Sequence, residues 1–379
     1  MKIIFICGSL EPGRDGVGDY TRRLSEELIR QGQSITIIAF NDHHALESIE
    51  TIQNVNGISI NILRLSGRES SKNRFNKSFE FIDQFDPEWL SLQYVPFSFH
   101  QKGLPWRLAK QLKLLGNGRK WHVMFHELWV GMELGANYKM ILWGRLQKAI
   151  IRLFYFQLNP SLVHTQTRLH QFQLNDLGIN AEILPLFSNI SVIKSINANN
   201  INKSSVGEKT QLPLVAFGTI QSGAPFLQFA KEASNYEKCN NVKITLTLLG
   251  RPHPEQEKWS SIWINEGLTV KNLGELPAEG VSEILLNATF GIASTAFINI
   301  EKSGSVAAML NHGLPVICIS KPWEVKNLAG FKPQYKDVSE YKPGNLHNCL
   351  NAGFHQTGND FSLQKISEKF IETLKLRRP

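Results

Sequence analysis

Apolar residues fall in short unbroken blocks, separated by longer stretches of helical period. In the first half these blocks are Ile3–Cys7, Ile35–Phe40, Ile58–Leu65, Trp89–Val95, Trp121–Phe125, Leu162–Thr165 and Ile183–Phe187. Apolar runs of this length predict strands buried on both faces. Between several of them the period lengthens. In Tyr20–Arg30, Tyr20, Leu24 and Leu28 recur every four residues, with Asp19 as the expected N-cap. Such alternation predicts a parallel sheet with helices on both faces.

A stretch rich in Asn, Ser and Lys, residues 191–211, breaks the pattern and reads as an interdomain linker. The alternation then restarts, with strands expected at Leu214–Phe217, Val242–Leu249, Leu268–Asn272, Phe290–Ser294 and Val316–Ile319, and a last helix over Leu363–Leu376. The predicted organisation is two Rossmann-like α/β domains, 1–190 and 212–360. A C-terminal helix in 361–379 is free to cross back to the first. No solenoid-length repeat is visible.

Composition agrees with this picture. The chain has 379 residues, 42% hydrophobic and 20% charged, which suits two globular domains and excludes a collagen, a coiled coil or a disordered acidic tail. The four cysteines (Cys7, Cys239, Cys318, Cys349) are far apart in sequence and suggest neither a disulfide framework nor a zinc site. Cys7 and Cys318 lie in strand-like runs and are expected to be buried thiols. The first apolar block is too short for a signal peptide, and no run approaches a membrane span. A cytoplasmic protein is the expectation. The eleven histidines include His43, His44, His164 and His170, but none has metal-ligand spacing, so no metal is assigned.

Two segments carry candidate chemistry. The first strand runs into Gly8-Ser-Leu-Glu-Pro-Gly13-Arg-Asp-Gly16-Val-Gly18-Asp19, a glycine-rich turn before a helix. Glycines there let backbone approach a ligand, and a helix N-terminus favours an anion. The order is reversed from the dinucleotide fingerprint and the turn is too long for it, although Asp42 stands where a ribose-binding acid would. A structural loop, a diphosphate-facing loop and a nicotinamide or flavin site stay open as readings. In the second segment, Gly291 to Ile317, a strand leads to Glu301-Lys302-Ser303-Gly304-Ser305 at a helix start. Amides, two hydroxyls, a lysine and the helix dipole meet there, as a phosphate site needs. A plain Ser-capped helix would read the same way.

In order, these pieces resemble the retaining GT-B-fold glycosyltransferases of the family 4 group. The likeness covers nearly the whole chain. It is carried by Gly8 to Ile35, by Phe125-His126-Glu127, by Leu184-Pro185-Leu186-Phe187-Ser188-Asn189-Ile190, and by Leu249-Gly250, Leu273-Gly274-Glu275-Leu276 and Gly313-Leu314-Pro315-Val316. The resemblance implies two Rossmann-like domains facing a central cleft. It also implies transfer of a sugar from a nucleotide diphosphate sugar to a glycan or lipid-linked acceptor, in surface polysaccharide or glycolipid synthesis. That sugar nucleotide is a co-substrate, and no cofactor is expected. His126 would contact the donor sugar, with a core or capping histidine as the alternative, and Glu301 would hold the sugar hydroxyls. Gly16, Gly18, Thr219, Ser303, Gly304 and Ser305 would face the donor diphosphate, and Glu127 the acceptor. No Asp-x-Asp triplet occurs, which agrees with a metal-independent reaction.

The sequence also departs from the family. Eight residues after Glu301 stands Met309, so the second Glu of the E-x7-E pattern is missing, and Glu275 with Glu283 imitate the spacing too early in the chain. The Arg and Lys expected after the first strand of the second domain are absent from Phe217-Gly218-Thr219-Ile220-Gln221. Lys302 and Arg251 are the replacements proposed for them. These losses keep a non-catalytic scaffold, and a GT-B sugar-nucleotide epimerase, as alternatives.

Charge adds one more feature. The formal net charge is +8, yet Lys102 to Arg168 alone holds eleven cations and two acids, Glu127 and Glu133. Within 102–156 the cations interleave with Trp106, Trp143, Phe154, Phe156 and many leucines and isoleucines. Basic helices of this composition suit an anionic membrane surface. Two ordinary helices with solvated lysines would look similar. No nucleic-acid module motif occurs, and no nucleic-acid partner is expected.

Overall fold

The computed structural model describes residues 1–193, 210–352 and 360–377. The chain divides into two compact units. The first comprises Met1–Pro185, Val325–Ala329 and the described residues from Ser367 on; the second comprises the described parts of Leu186–Glu324 and Gly330–Ile366. The first stretch of the first unit ends at Pro185, five residues before the expected 190. Most of the expected linker, 194–209, lies outside the described residues, and Gln211 already belongs to a strand.

In the first unit the elements run β1 (Lys2–Cys7), α1 (Gly16–Arg30), β2 (Ser34–Asp42), β3 (Ile49–Val55), β4 (Ile58–Ser66), α2 (Ser71–Phe85), β5 (Trp89–Tyr94), α3 (Pro96–Phe99), α4 (Leu108–Gly116), β6 (Lys120–Phe125), α5 (Tyr138–Leu158), β7 (Leu162–Thr165), α6 (Arg168–Asp176) and β8 (Glu182–Ile183). They form one sheet of order β3-β4-β2-β1-β5-β6-β7-β8. Every pairing is parallel except β3 with β4. The apolar-run strands sit inside the sheet, where both faces are covered. Edge strand β3 has largely exposed side chains and no apolar run to reveal it. It is joined to β4 by Asn56-Gly57, both at positive φ (48° and 84°), the two-residue hairpin turn for which Asn-Gly is the strongest sequence signal. The last predicted strand of this half shortens to Glu182–Ile183.

The second unit runs β9 (Gln211–Phe217), α7 (Phe226–Asn240), β10 (Lys243–Leu249), α8 (Pro254–Asn265), β11 (Thr269–Gly274), α9 (Ala278–Asn287), β12 (Phe290–Ala293), a 3-10 turn Phe297–Lys302, α10 (Gly304–Asn311), β13 (Val316–Cys318), β14 (Val338–Glu340) and α11 (Leu346–Asn351). Its sheet, β11-β10-β9-β12-β13-β14, is parallel throughout. The last helix, α12 (Leu363–Leu376), packs in its later part on the first sheet. There Phe370 lies 5.8 Å from Phe5 and edge-on to His122 at 5.1 Å, and Gln31 donates to Ser367 Oγ at 2.6 Å.

Each sheet has a point where the strand order reverses. In the first, β1 to β4 build outward on one side, and β5 then pairs on the other side of β1. In the second, β9 to β11 do so before β12 pairs beside β9. Ligands of open α/β sheets bind beyond the carboxyl ends of the strands at such reversals.

Candidate functional site

In the first unit, the glycine-rich turn lies beyond β1 at the reversal. Helix α1 starts at Gly16, and its N-cap is Asp15, not Asp19. The Asp15 carboxylate accepts from the amides of Val17 (2.8 Å) and Gly18 (3.0 Å). Asp19 instead accepts from the amide of Gly13 and pairs with Arg22. The Gly18 amide, expected to face a diphosphate, is therefore held by the protein's own carboxylate. Gly18 is needed for packing, because any side chain there would strike the carbonyl oxygen of Ser9. Gly16 stands in open space.

Asp42, at the end of β2, fastens this turn and is fully buried. It accepts from Ser9 Oγ (3.0 Å), Leu10 N (3.3 Å), His44 N (3.0 Å) and Arg64 Nε (2.8 Å). Burial alone would raise its pKa. The Arg64 hydrogen bond and charge, with the two amides, outweigh burial and hold the carboxyl below its ordinary range. With its carboxylate committed to these bonds, Asp42 is a structural staple and not a ribose ligand.

His126 directly follows β6, its amide donating to Tyr94 O at 3.1 Å. The side chain is buried, edge-on to Tyr20 at 5.0 Å, with Nε2 2.9 Å from Gln93 Oε1. Gln93 in turn donates to Ser91 Oγ (2.9 Å), Ser91 Oγ meets His122 Nδ1 (2.8 Å), and His122 Nε2 meets His164 Nδ1 (3.0 Å). A buried polar relay thus runs across β5, β6 and β7 and ends beneath Phe370. Burial holds His122 well below its ordinary pKa. Burial, with the charges of Lys369 and Arg377 acting the same way, lowers His164 to about 3. Both rings are neutral at physiological pH. The sequence singles out His126 but not its relay partners Gln93, Ser91 and His122, although Trp-Leu-Ser-Leu-Gln-Tyr places two polar residues on one face of a buried strand. Glu127 is exposed beside His126.

In the second unit, the strand ends at the reversal are drawn together by backbone. Gly218 donates to Leu249 O (3.1 Å) and Gly250 to Gly274 O (2.9 Å). Gly218 and Gly250 have positive φ (89° and 123°). A methyl on Gly218 would lie 3.5 Å from Ser305 Cβ, so this bare backbone adjoins the start of α10. Ser303 caps that helix, accepting from Val306 N at 3.4 Å, and its hydroxyl meets Ser305 Oγ at 3.0 Å. The amides of Gly304 and Ser305 sit in the first turn, where no intrahelical acceptor exists. Glu301 and Lys302, both half-buried, close the 3-10 turn just before it, and Thr219 is exposed just after β9. Ser294, just after β12, accepts from the amide of Gln221 at 2.8 Å.

Arg251 is highly exposed and pairs with Glu275 at 2.7 Å on the rim of the sheet. Met309, at the missing-Glu position, is fully buried with its thioether against Gly291. That position belongs to the core, where an unpaired carboxylate would be costly. Glu283 is exposed on α9. The four cysteines are free, and Cys7, Cys318 and Cys349 are buried. Among the described residues there is no cluster of His, Cys, Asp or Glu able to hold a metal, and no helix is long and apolar enough to cross a membrane. Part of the basic segment is tied down: Arg119 pairs with Asp83 and Asp86, and Lys120 lies over Trp89.

No protein-family model matches the chain, and no curated protein matches it in sequence. Its structure is similar to a glycosyltransferase from Rickettsia africae (TM-score 0.55, 13% identity, 99% of this chain and 98% of that one). It is also similar to the Anabaena protein HepE, crystallised with UDP and glucose (TM-score 0.54, 14% identity, 99% and 100%). A third similar structure is a Listeria monocytogenes protein assigned as a UDP-N-acetylglucosamine 2-epimerase (TM-score 0.51, 10% identity, 99% and 95%). At these identities the likeness establishes the fold, a two-domain α/β fold of GT-B type.

Proposed function

We propose that the chain is a GT-B glycosyltransferase that takes a nucleotide diphosphate sugar as donor and needs no metal. One observation carries this reading. At the strand-order reversal of the second unit, the bare backbone of Gly218 adjoins the capped start of α10, where Ser303, Gly304 and Ser305 gather hydroxyls and unclaimed amides beside Lys302. Such a cradle suits a diphosphate, and its positive charge would stabilise the diphosphate as the bond to the sugar breaks. Glu301 would accept hydrogen bonds from the sugar hydroxyls, and Thr219 would border the phosphates. The family resemblance would give His126, one ring nitrogen of which is held by Gln93, a contact with the donor sugar, and Glu127 one with the acceptor. Arg251 would serve only after leaving Glu275. Gly16 would face a diphosphate only by the family resemblance, and Gly18 would shape the turn rather than donate to phosphate. Transfer with retention, as in family 4, extends the same reading.

The test is calorimetric titration with UDP, GDP, ADP and their common sugar conjugates. Binding by one base is expected, weakened at least tenfold by Ser303→Ala with Ser305→Ala. If none of these ligands binds, the reading is overturned. The likeness to the Listeria protein supports a second reading, epimerisation of the sugar nucleotide. Product analysis without an acceptor separates the two, since only an epimerase then yields a new sugar nucleotide.

A further inference from the structure

The first unit carries two adjoining concavities on α5 that share Arg145 and Lys148 as lining residues. One is a pocket of about 260 Å³ between the Trp129–Met132 loop, α5, α6 and the Val325–Ala329 segment. That segment is fastened by a bridge between Val325 and Glu133 and by the amide of Lys326 donating to Met132 O at 2.8 Å. The loop packs so closely on α5 that a methyl on Gly144 would overlap the carbonyl oxygen of Val130. The other concavity is an open groove of about 610 Å³ whose wall includes Arg152, Leu153 and Phe156.

The two differ in chemistry. The pocket gathers Arg145, Lys148 and Lys326 against one carboxylate, Asp176, which Lys148 holds at 3.0 Å. Gln173, 7% exposed, lines the same pocket, and its Oε1 has no hydrogen-bond partner among the described residues. Among the described residues its Nε2 has only the Met132 thioether, 3.6 Å away. A buried amide this poorly satisfied costs stability unless something polar occupies the pocket. Turning it by half a rotation would offer its N–H groups to an anion at the loss of one weak contact. The groove, by contrast, exposes Leu153 (45%) and Phe156 (58%) next to Arg152, an apolar strip with a cationic edge.

We infer that these concavities form one binding site for a single phosphate-bearing amphiphile, with the phosphate in the pocket among Arg145, Lys148, Lys326 and Gln173 and the hydrocarbon along the groove. Charge complementarity selects the headgroup, and continuity with the exposed apolar strip selects a ligand with a hydrocarbon tail over free phosphate. The site stands by itself as a lipid site. Only the role of that lipid as glycosyl acceptor rests on the transferase reading, and it narrows the acceptor from glycan or lipid to a lipid phosphate.

The probe is dihexanoyl phosphatidic acid below its critical micelle concentration, titrated calorimetrically into the full chain without any nucleotide. Saturable binding is expected, with inorganic phosphate at least tenfold weaker and dihexanoyl phosphatidylcholine not binding. Each cation lost near an anionic headgroup should weaken binding by about fivefold, so Arg145→Glu and Lys326→Glu should each cost that much or more. Phe156→Ser should weaken the lipid and leave the response to phosphate unchanged. All three positions are on the surface or rim of the site, and unaltered circular dichroism confirms their fold. No saturable binding overturns the inference. So does equal affinity for phosphate, equal affinity for the choline lipid, or indifference to Lys326→Glu. Binding of UDP by the Lys326→Glu variant should be unchanged, so failure here and failure of the donor site are told apart.

Discussion

The buried histidine pair makes the first unit sensitive to mild acid, and His164→Asn isolates its share. An asparagine offers His122 an amide oxygen in place of the ring nitrogen and cannot titrate. The folded pKa of His164, about 3, lies below its ordinary value near 6.5. Above pH 6.5 neither state is protonated, and the group is silent. As the pH falls from 6.5 towards 3, the unfolded chain takes up a proton that the folded chain refuses, so stability is lost through that window. At pH 5 the loss relative to pH 8 is about 2 kcal/mol for His164 alone, with His122 acting in the same direction. The assay is native-state hydrogen exchange followed in peptides covering β6 and β7, which reports on this unit apart from the other. Between pH 8 and pH 5 the wild type should lose about 2 kcal/mol more opening free energy than His164→Asn. Parallel losses in the two proteins would refute a histidine held neutral by burial.

Other substitutions test neighbouring features. Gln93→Leu removes the acceptor that holds His126 Nε2, so nitrogen-15 spectra of histidine-labelled protein should show the His126 tautomer signal change while His312, bonded to Ser282 and Ala308, keeps its own. An unchanged His126 signal would mean that Gln93 does not position the ring. Gly144→Ala should lower stability by about 3 kcal/mol or more through overlap with Val130, whereas Gly304→Ala, in open space at a helix start, should be nearly neutral; thermal melts compare the two. Asp42→Asn should cost about 2 kcal/mol at pH 7 by removing the buried one of the two carboxylates that pair with Arg64, Glu11 remaining. Since the folded pKa of Asp42 is depressed, its contribution is present above the unfolded value near 3.9 and is lost as the pH falls through the folded one. The gap from wild type in denaturant titrations should therefore shrink below pH 4.

The parts of the fold that were legible are those whose physics is local. Ile3–Cys7 or Phe290–Ser294 must be buried on both faces to sit in water at all, so their apolar runs announce them. Edge strand β3 needs no such run and was hidden in plain composition, though Asn56-Gly57 marks its hairpin. The Ser303 cap of α10 is legible because a serine, a glycine and a second serine at a helix start are neighbours in sequence. Arg64 with Asp42, and Gln93 with His126, were not: they are far apart in the chain and meet only when strands pair. Asp15 and Asp19 both stand near the same helix start, and only backbone geometry decides which carboxylate faces the amides.

The return of α12 to the first sheet has a consequence for how the protein is made. Phe370 covers Phe5, and these two leave the ribosome roughly 365 residues apart, on the order of 20–70 s at ordinary synthesis rates. Through that interval the face of β1, β6 and β7 bearing Phe5, His122 and His164 waits uncovered, and both imidazoles remain in water, able to protonate. The first sheet can assemble early, but the His122–His164 end of its polar relay is covered by Phe370 only once the helix arrives. A nascent chain stalled before residue 363 should accordingly be open to chaperones on this one face and closed on the face already covered by α2, α4 and α5.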